Sequence, residues 1–267
     1  MPKEKQIKYL IVPDVHGRDF WKEPVEETLR SSDARVIFLG DYLDPYPYEW
    51  EDRGADFDCR RHAIQNLESI LYLKSQYPES ITLLIGNHDC GYAIGDDICN
   101  CRMDFRNKEE IESLFSACRD RFKLAEECDI AGKKFIFSHA GILKGWAEKV
   151  FGKNAVAGKD FNVVDRLNMA WRAKAWNILD TLGHYDGYRG YLGYKYGSPV
   201  WSDVRSWVRV TPEETFGFNI VGHTQCDEPV VLDQIADLDC RKCFYLDDQG
   251  QIHDWETDEV LHKTREE

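Results

Sequence analysis

Short apolar runs recur along the chain at 7–12, 36–39, 81–85 and 135–137, and each is closed by a small polar cluster. These predict strands. Between them the apolar positions shift to a period of three to four residues, which predicts helices over 21–29, over 60–77 with Ala63, Leu67, Ile70 and Leu71 on one stripe, and over 108–124. A further helix is predicted over 161–182 from Leu167, Trp171, Ile178 and Leu179. Beyond it the chain turns β-rich, with strands expected at 219–221 and 230–232 and a hairpin pairing 243–246 with 252–255 around Asp247-Asp248-Gln249-Gly250. Strands alternating with helices predict an α/β fold on a largely parallel or mixed sheet, covered by helices. No repeat, low-complexity linker or clear domain boundary interrupts the 267 residues.

Charge narrows the partners. With 34 Lys+Arg against 48 Asp+Glu the net charge is -14, a field that repels nucleic-acid backbones and anionic membranes, so duplex nucleic acid is not an expected partner. No run approaches the roughly 18 apolar residues of a membrane span. Met1-Pro2-Lys3-Glu4-Lys5-Gln6 leads directly into the first strand without a signal-peptide core, which predicts a cytoplasmic protein. The nine cysteines are odd in number and scattered, as suits a reducing compartment. Cys99/Cys101 and Cys240/Cys243 lack the spacing of a zinc ribbon and read as free thiols.

In open α/β sheets ligands bind beyond the carboxyl ends of the strands. The polar clusters found there are Asp14-Val15-His16-Gly17, Gly40-Asp41-Tyr42-Leu43-Asp44, Gly86-Asn87-His88-Asp89, Ser138-His139-Ala140-Gly141 and Gly222-His223-Thr224. Taken singly, each is more often a solvated loop carboxylate or a hydrogen-bonded core histidine. Together they bring carboxylates, imidazoles and one amide from five strand ends, a donor mix that suits Mn²⁺, Fe or Zn²⁺, with a shared carboxylate able to bridge two ions.

In this order the blocks match D-x-H-G, G-D-x-x-D, G-N-H-D, H-A-G and G-H-T, and over about residues 7–225 the chain resembles the calcineurin-like metallophosphoesterase family. The resemblance implies a four-layer α/β/β/α sandwich with mixed central sheets. It implies one domain over 1–267 with a helical and Tyr-rich insertion at about 143–200. It also implies two divalent ions, manganese first, with Fe, Zn, Co, Ni or Mg as alternatives. Asp14 and His16 would hold the first ion, Asp41 would bridge, and Asn87, His139 and His223 would complete the second. Two such cations about 3.5–4 Å apart can hold a bridging hydroxide and clamp phosphoryl oxygens during in-line displacement. By the same resemblance His88 is the general acid that protonates the leaving oxygen, and Asp44 orients it and keeps it protonated.

Trp201-Ser202-Asp203 and Gly222-His223-Thr224 resemble the branch that joins Ser/Thr phosphoprotein phosphatases with diadenosine tetraphosphate hydrolases. Gln225 stands where the nuclease and phosphodiesterase branches place a second histidine. Two departures count against a typical protein phosphatase. Pro45, not Arg-Gly, follows Asp44, and Ile85, not Arg, precedes Gly86. Asp52-Arg53-Gly54 occurs eight residues later, so 45–51 reads as an insertion and Arg53 as a displaced clamp or a surface residue. Arg205 is the better candidate for gripping phosphate bidentately, against a surface ion pair. Arg102 and Arg106 follow the third block without a readable role.

Tyr188, Tyr191 and Tyr194 lie in a Tyr- and Gly-rich stretch, 185–196, that either stacks a nucleobase or packs as a lid. The expected function is metal-assisted hydrolysis of a phosphomonoester or phosphoanhydride. Nucleotides, dinucleotide polyphosphates or other small phosphorylated metabolites are the favoured substrates. The rivals are a protein Ser/Thr phosphatase and a catalytically silent metal-binding scaffold. The scaffold has no reason to keep all six ligand positions and the His88/Asp44 pair.

Overall fold

The apolar runs form the strands of two sheets in a computed structural model that describes residues 5–30, 34–54, 56–94, 102–183 and 197–264. The first sheet has the order β11-β10-β1-β2-β3-β4. In it β1 (Ile7–Val12), β2 (Arg35–Phe38), β3 (Ile81–Leu84) and β4 (Phe122–Lys123) run parallel. The hairpin β10 (Phe244–Asp247) and β11 (Ile252–Asp254) adds on antiparallel beside β1. The second sheet, β5-β6-β7-β9-β8, has β6 (Lys133–Ser138), β7 (Phe218–Val221) and β9 (Ile235–Asp237) parallel at its centre. Its antiparallel edges are β5 (Ala125–Ile130) and β8 (Val230–Val231).

Successive strand residues face opposite sides of a sheet, and both faces here are apolar for different reasons. Tyr9, Ile11, Ile37, Leu39 and Leu84 from the first sheet meet Phe135, Phe137, Ile220 and Ala236 from the second in one buried cluster. Leu10, Val12, Val36, Phe38 and Leu83 point the other way, into a core shared with helices α1 (Lys22–Leu29) and α2 (Cys59–Gln76). On the far side Val221 and Ile235 pack with Leu143, Val204 and Trp207. The result is helix, sheet, sheet and helix in four layers. Asp58 caps α2 by accepting hydrogen bonds from the amides of Arg60 and Arg61. The helix then buries Ala63, Ile64, Leu67, Ile70 and Leu71 along one stripe.

Several predicted elements change in the structure. The helix expected over 108–124 stops as α4 (Lys108–Ala117). Arg119 stacks 3.8 Å over the Trp171 ring and donates to the carbonyls of Ala93 and Trp171, and the chain turns there so that β4 can pair with β3. The helix expected over 161–182 is two, α7 (Val163–Ala173) and α8 (Trp176–Gly183), because Lys174 adopts φ 50° and ends the first. Three more helices, α3 (Asn87–Ile94), α5 (Lys144–Phe151) and α6 (Lys153–Val156), were not expected from the sequence; none is longer than eight residues, about two turns. Strand β5, Ala-Glu-Glu-Cys-Asp-Ile, is too polar for an apolar count; it forms because the left-handed pair Ala131 (φ 50°) and Gly132 (φ 77°) turns the chain into a hairpin with β6. Among the described residues no helix is long and apolar enough to cross a membrane.

Candidate metal centre

Parallel strands in both sheets end on the same side, and their loops carry the site. Backbone pairing continues past the strands and locks those loops together: the amides of His16 and Gly17 donate to the carbonyls of Asp41 and Tyr42, and that of Gly222 donates to His139. Asp14 and His16 follow β1, Asp41 and Asp44 follow β2, Asn87 and His88 open α3 after β3, His139 follows β6, and His223 follows β7. Four of these residues have left-handed backbones: His16 (φ 45°), Asp41 (φ 52°), Asp44 (φ 55°) and His223 (φ 76°). A non-glycine residue persists there only where its surroundings over-determine it, and such strain gathers at functional sites. Gly86 and Gly222 are required by close approach, since a Cβ at either would overlap the carboxylate of Asp41 or of Asp14.

The side chains converge on Asp41. Its Oδ2 lies 3.6 Å from His16 Nε2 and 3.5 Å from His139 Nε2. His16 Nδ1 is 2.6 Å from the Leu43 carbonyl and His139 Nδ1 is 2.9 Å from the Leu39 carbonyl. Each ring therefore donates its Nδ1 proton to a carbonyl and turns an unprotonated Nε2 toward Asp41, free to bind a cation. Asn87 Oδ1, His139 Nε2 and His223 Nδ1 lie 2.8–3.1 Å apart from one another. Asp14 Oδ2 is 3.9 Å from His16 Nε2, while its Oδ1 accepts the His223 amide at 2.9 Å. Trp201 packs edge-on against the His223 ring at 5.5 Å.

This donor set fits two cations. Metal–ligand bonds of about 2.1 Å place neighbouring ligand atoms about 3.0–3.5 Å apart, close to most of the separations above. Two groups of ligand atoms close enough to share an ion are His16/Asp41/His88 and Asp41/His139/His223, with Asp41 in both; neither contains a cysteine. The charges agree. Burial first, then repulsion from Asp239 and from Asp41, raises the Asp14 carboxyl well above its usual range. Burial and then Asp89 do the same to Asp41. Burial, followed by the positive charge of His88, Arg18 and Arg102, keeps His16 in its neutral, ligating form. Buried carboxylates crowded this way call for positive charge between them.

Beside this set, His88 Nδ1 is 2.8 Å from Asp44 Oδ2, and the Tyr92 hydroxyl donates to Asp44 Oδ1 at 2.6 Å. The His88 ring stands edge-on to His16 at 5.0 Å. Asp89 accepts the amides of Asp41, Tyr42 and Gly86 and so builds the loop that presents Asp41. The guanidinium of Arg205 donates to both oxygens of the buried Asp203. Arg53 lies over Trp50 and Phe57 at 6.0 and 5.8 Å. Tyr188, Tyr191 and Tyr194, with Cys99 and Cys101, fall outside the described residues.

Sequence reasoning missed a sixth strand end. Asp239 follows β9, is 4 % exposed, and lies close enough to Asp14 for its charge to raise that carboxyl. Burial raises it to about 6 against the pull of Arg18 and Arg241. The Ile-Ala-Asp-Leu-Asp segment has no glycine or histidine to flag it, and only its register beside β7 brings it to the site. Tyr92 was missed because it reaches the Asp44 loop from distant sequence, and Arg102, named above without a readable role, donates to the Asp44 carbonyl.

The family of calcineurin-like phosphoesterases matches residues 7–227. A probable serine/threonine-protein phosphatase of Encephalitozoon cuniculi is 26% identical over 144 residues, covering 52% of this chain and 27% of that protein. Serine/threonine-protein phosphatase PP1-delta of Caenorhabditis elegans is 24% identical over 209 residues, covering 61% of this chain and 59% of its own length. The chain thus spans less than two thirds of either relative. A cold-active protein-tyrosine phosphatase of a psychrophilic Shewanella has the same fold, with a TM-score of 0.60 at 17% identity over 96% of this chain and 80% of that one.

Proposed function

The chain belongs to the calcineurin-like phosphoesterase family, and from that premise we propose that it is a two-metal phosphohydrolase cleaving small phosphomonoesters or phosphoanhydrides. The observation that carries this reading is Asp41, whose Oδ2 stands 3.6 and 3.5 Å from imidazoles on two different strand ends, with the His88/Asp44 pair alongside. Asp14, His16 and Asp41 would hold one cation; Asp41, Asn87, His139 and His223 would hold the other. Manganese is the first ion to try, because carboxylate, imidazole and amide donors are mixed. Bound there, the two ions supply positive charge to phosphoryl oxygens and acidify the attacking water. The protein does the rest. Tyr92 and the Asp44 carboxylate fix the His88 ring, and His88 delivers a proton to the leaving oxygen.

An open surface depression of about 580 Å³, lined by Arg18, Tyr48, Glu49, Trp50, Arg53 and Arg241, adjoins the site through Arg18, which donates to the Asp14 carbonyl, and offers aromatic surface to a nucleoside. That supports nucleotides and dinucleotide polyphosphates as first substrates. The 143–200 insertion belongs to the same single domain in this reading. Free thiols at all seven described cysteines support a cytoplasmic location. A second reading, a protein Ser/Thr phosphatase, draws on the names of the two relatives.

Purified protein loaded in turn with Mn²⁺, Co²⁺, Ni²⁺, Mg²⁺ and Zn²⁺ is assayed on p-nitrophenyl phosphate, a nucleotide panel and a phosphopeptide. Preference for nucleotides supports the first reading and preference for the phosphopeptide the second. Metal uptake with no turnover of any phosphoester would leave only the silent scaffold. His88→Asn should keep both metals and slow turnover by about 10²–10⁴-fold, with a smaller loss on p-nitrophenyl phosphate, whose leaving group needs little protonation.

A further inference from the structure

The site holds a general acid and a frame for two cations, yet the arginine expected beside Asp44 is absent, since Pro45 follows it. The phosphoryl oxygens that face away from the cations still need donors. Most arginines near the site are already matched to carboxylates. Arg18 and Arg241 both bind Glu49, Arg205 is held by Asp203, and Arg106 pairs with Asp58 at 3.7 Å. Arg53 lies over the rings of Trp50 and Phe57.

Arg102 differs from all of these. Among the described residues it has no carboxylate partner. One guanidinium nitrogen, Nη2, donates to the backbone carbonyl of Asp44 at 2.9 Å, the residue after which the missing arginine would stand. Its guanidinium lies 3.6 Å over the Tyr46 ring, and Tyr46 in turn packs edge-on against His16 at 5.1 Å. The group is thus held by a hydrogen bond to the Asp44 backbone and by the face of the ring that packs on His16, and it is solvent-exposed. A guanidinium held at one edge keeps other N–H donors in a fixed fork that matches two phosphoryl oxygens.

We propose that Arg102, reaching back from the segment before α4, is the arginine that grips the substrate's phosphoryl group. The proposal rests on the phosphohydrolase reading for its chemistry. It is tested first without turnover, by calorimetric titration of orthophosphate into manganese-loaded protein. Arg102→Ala should weaken orthophosphate at least about tenfold, the scale of one charge-assisted hydrogen bond, with metal content unchanged. Arg102→Lys should recover only part of the loss, because an ammonium cannot bind two oxygens as a fork. Arg106→Ala, which removes the same charge from the same segment, should bind as the unaltered protein does.

A merely structural Arg102 that props up the Asp44 loop would behave otherwise. Its loss would then resemble loss of the general acid, heavier on phenyl phosphate than on p-nitrophenyl phosphate, whereas a clamp loses equally on both. That leaving-group dependence, unchanged orthophosphate affinity in Arg102→Ala, or transfer of the affinity loss to Arg205→Ala would each overturn the proposal. If the unaltered protein binds orthophosphate but cleaves no ester, the hydrolase reading fails while the titration still decides Arg102.

Discussion

Two adjoining regions of this molecule follow opposite rules. Between the sheets, Tyr9, Ile11, Ile37, Phe135, Phe137 and Ile220 alternate as strand geometry asks, and burial favours every one of them. Just beyond the strand ends, Asp14, Asp41, Asp89 and Asp239 are equally buried, and desolvation opposes each of them. There the backbone also turns left-handed at His16, Asp41, Asp44 and His223. The comparison teaches that the inter-sheet core holds together what the site by itself would push apart, and that a bound cation changes the balance at one end only.

The largest expected effect is at the carboxylate shared by both ligand groups. Asp41→Asn should lose metal at one or both positions and with it all turnover, while the fold survives because buried negative charge has been removed. Elemental analysis alongside circular dichroism checks both halves, and full metal occupancy in this variant would remove Asp41 as the bridge. Phe137→Ala is the mirror experiment. It empties the inter-sheet core against Tyr9, 5.2 Å away, and should cost about 3–5 kcal/mol of stability, read by denaturant unfolding. Metal stoichiometry of the folded fraction should not change.

A third test uses pH. Asp239 is raised from an ordinary 3.8 to about 6 chiefly by burial, so its contribution to stability is fully present below about 3.8 and is lost as pH rises through about 6. Asp14 and Asp41 are raised in the same direction. Protein stripped with EDTA should therefore gain Tm on going from about pH 8 to about pH 5, and manganese-loaded protein should not. A metal-free Tm that rises with pH would mean that these carboxylates are not strained by burial.

The smallest effect sharpens the contrast most. Asp239→Asn removes repulsion from Asp14, so the metal-free protein should melt a few degrees higher. The same change should weaken manganese roughly tenfold, the scale of an outer partner of a metal ligand. Thermal shift and metal titration on one sample check the two signs, and a variant that melts lower and binds metal normally would make Asp239 a packing residue.

Much of the site was legible because each ligand type sits at a short, fixed offset from an apolar run. Asp14-x-His16, Asp41-x-x-Asp44, Asn87-His88, His139 and His223 are written into the sequence in that form. The strands that carry them, β1, β2, β3, β6 and β7, were legible too, since inner strands are apolar on both faces. Edge strand β5 was not, because half-exposed positions admit Glu, Cys and Asp.

Residue type and local spacing alone carried the layered α/β plan and the carboxylates, imidazoles and amide that stand at its strand ends. Folding of the whole chain was needed to bring Asp239 beside Asp14 and to bring Tyr92 and Arg102 to Asp44. These placements depend on strand register and on chain reversals tens of residues long. No local pattern encodes them, because each is settled by how distant segments pack.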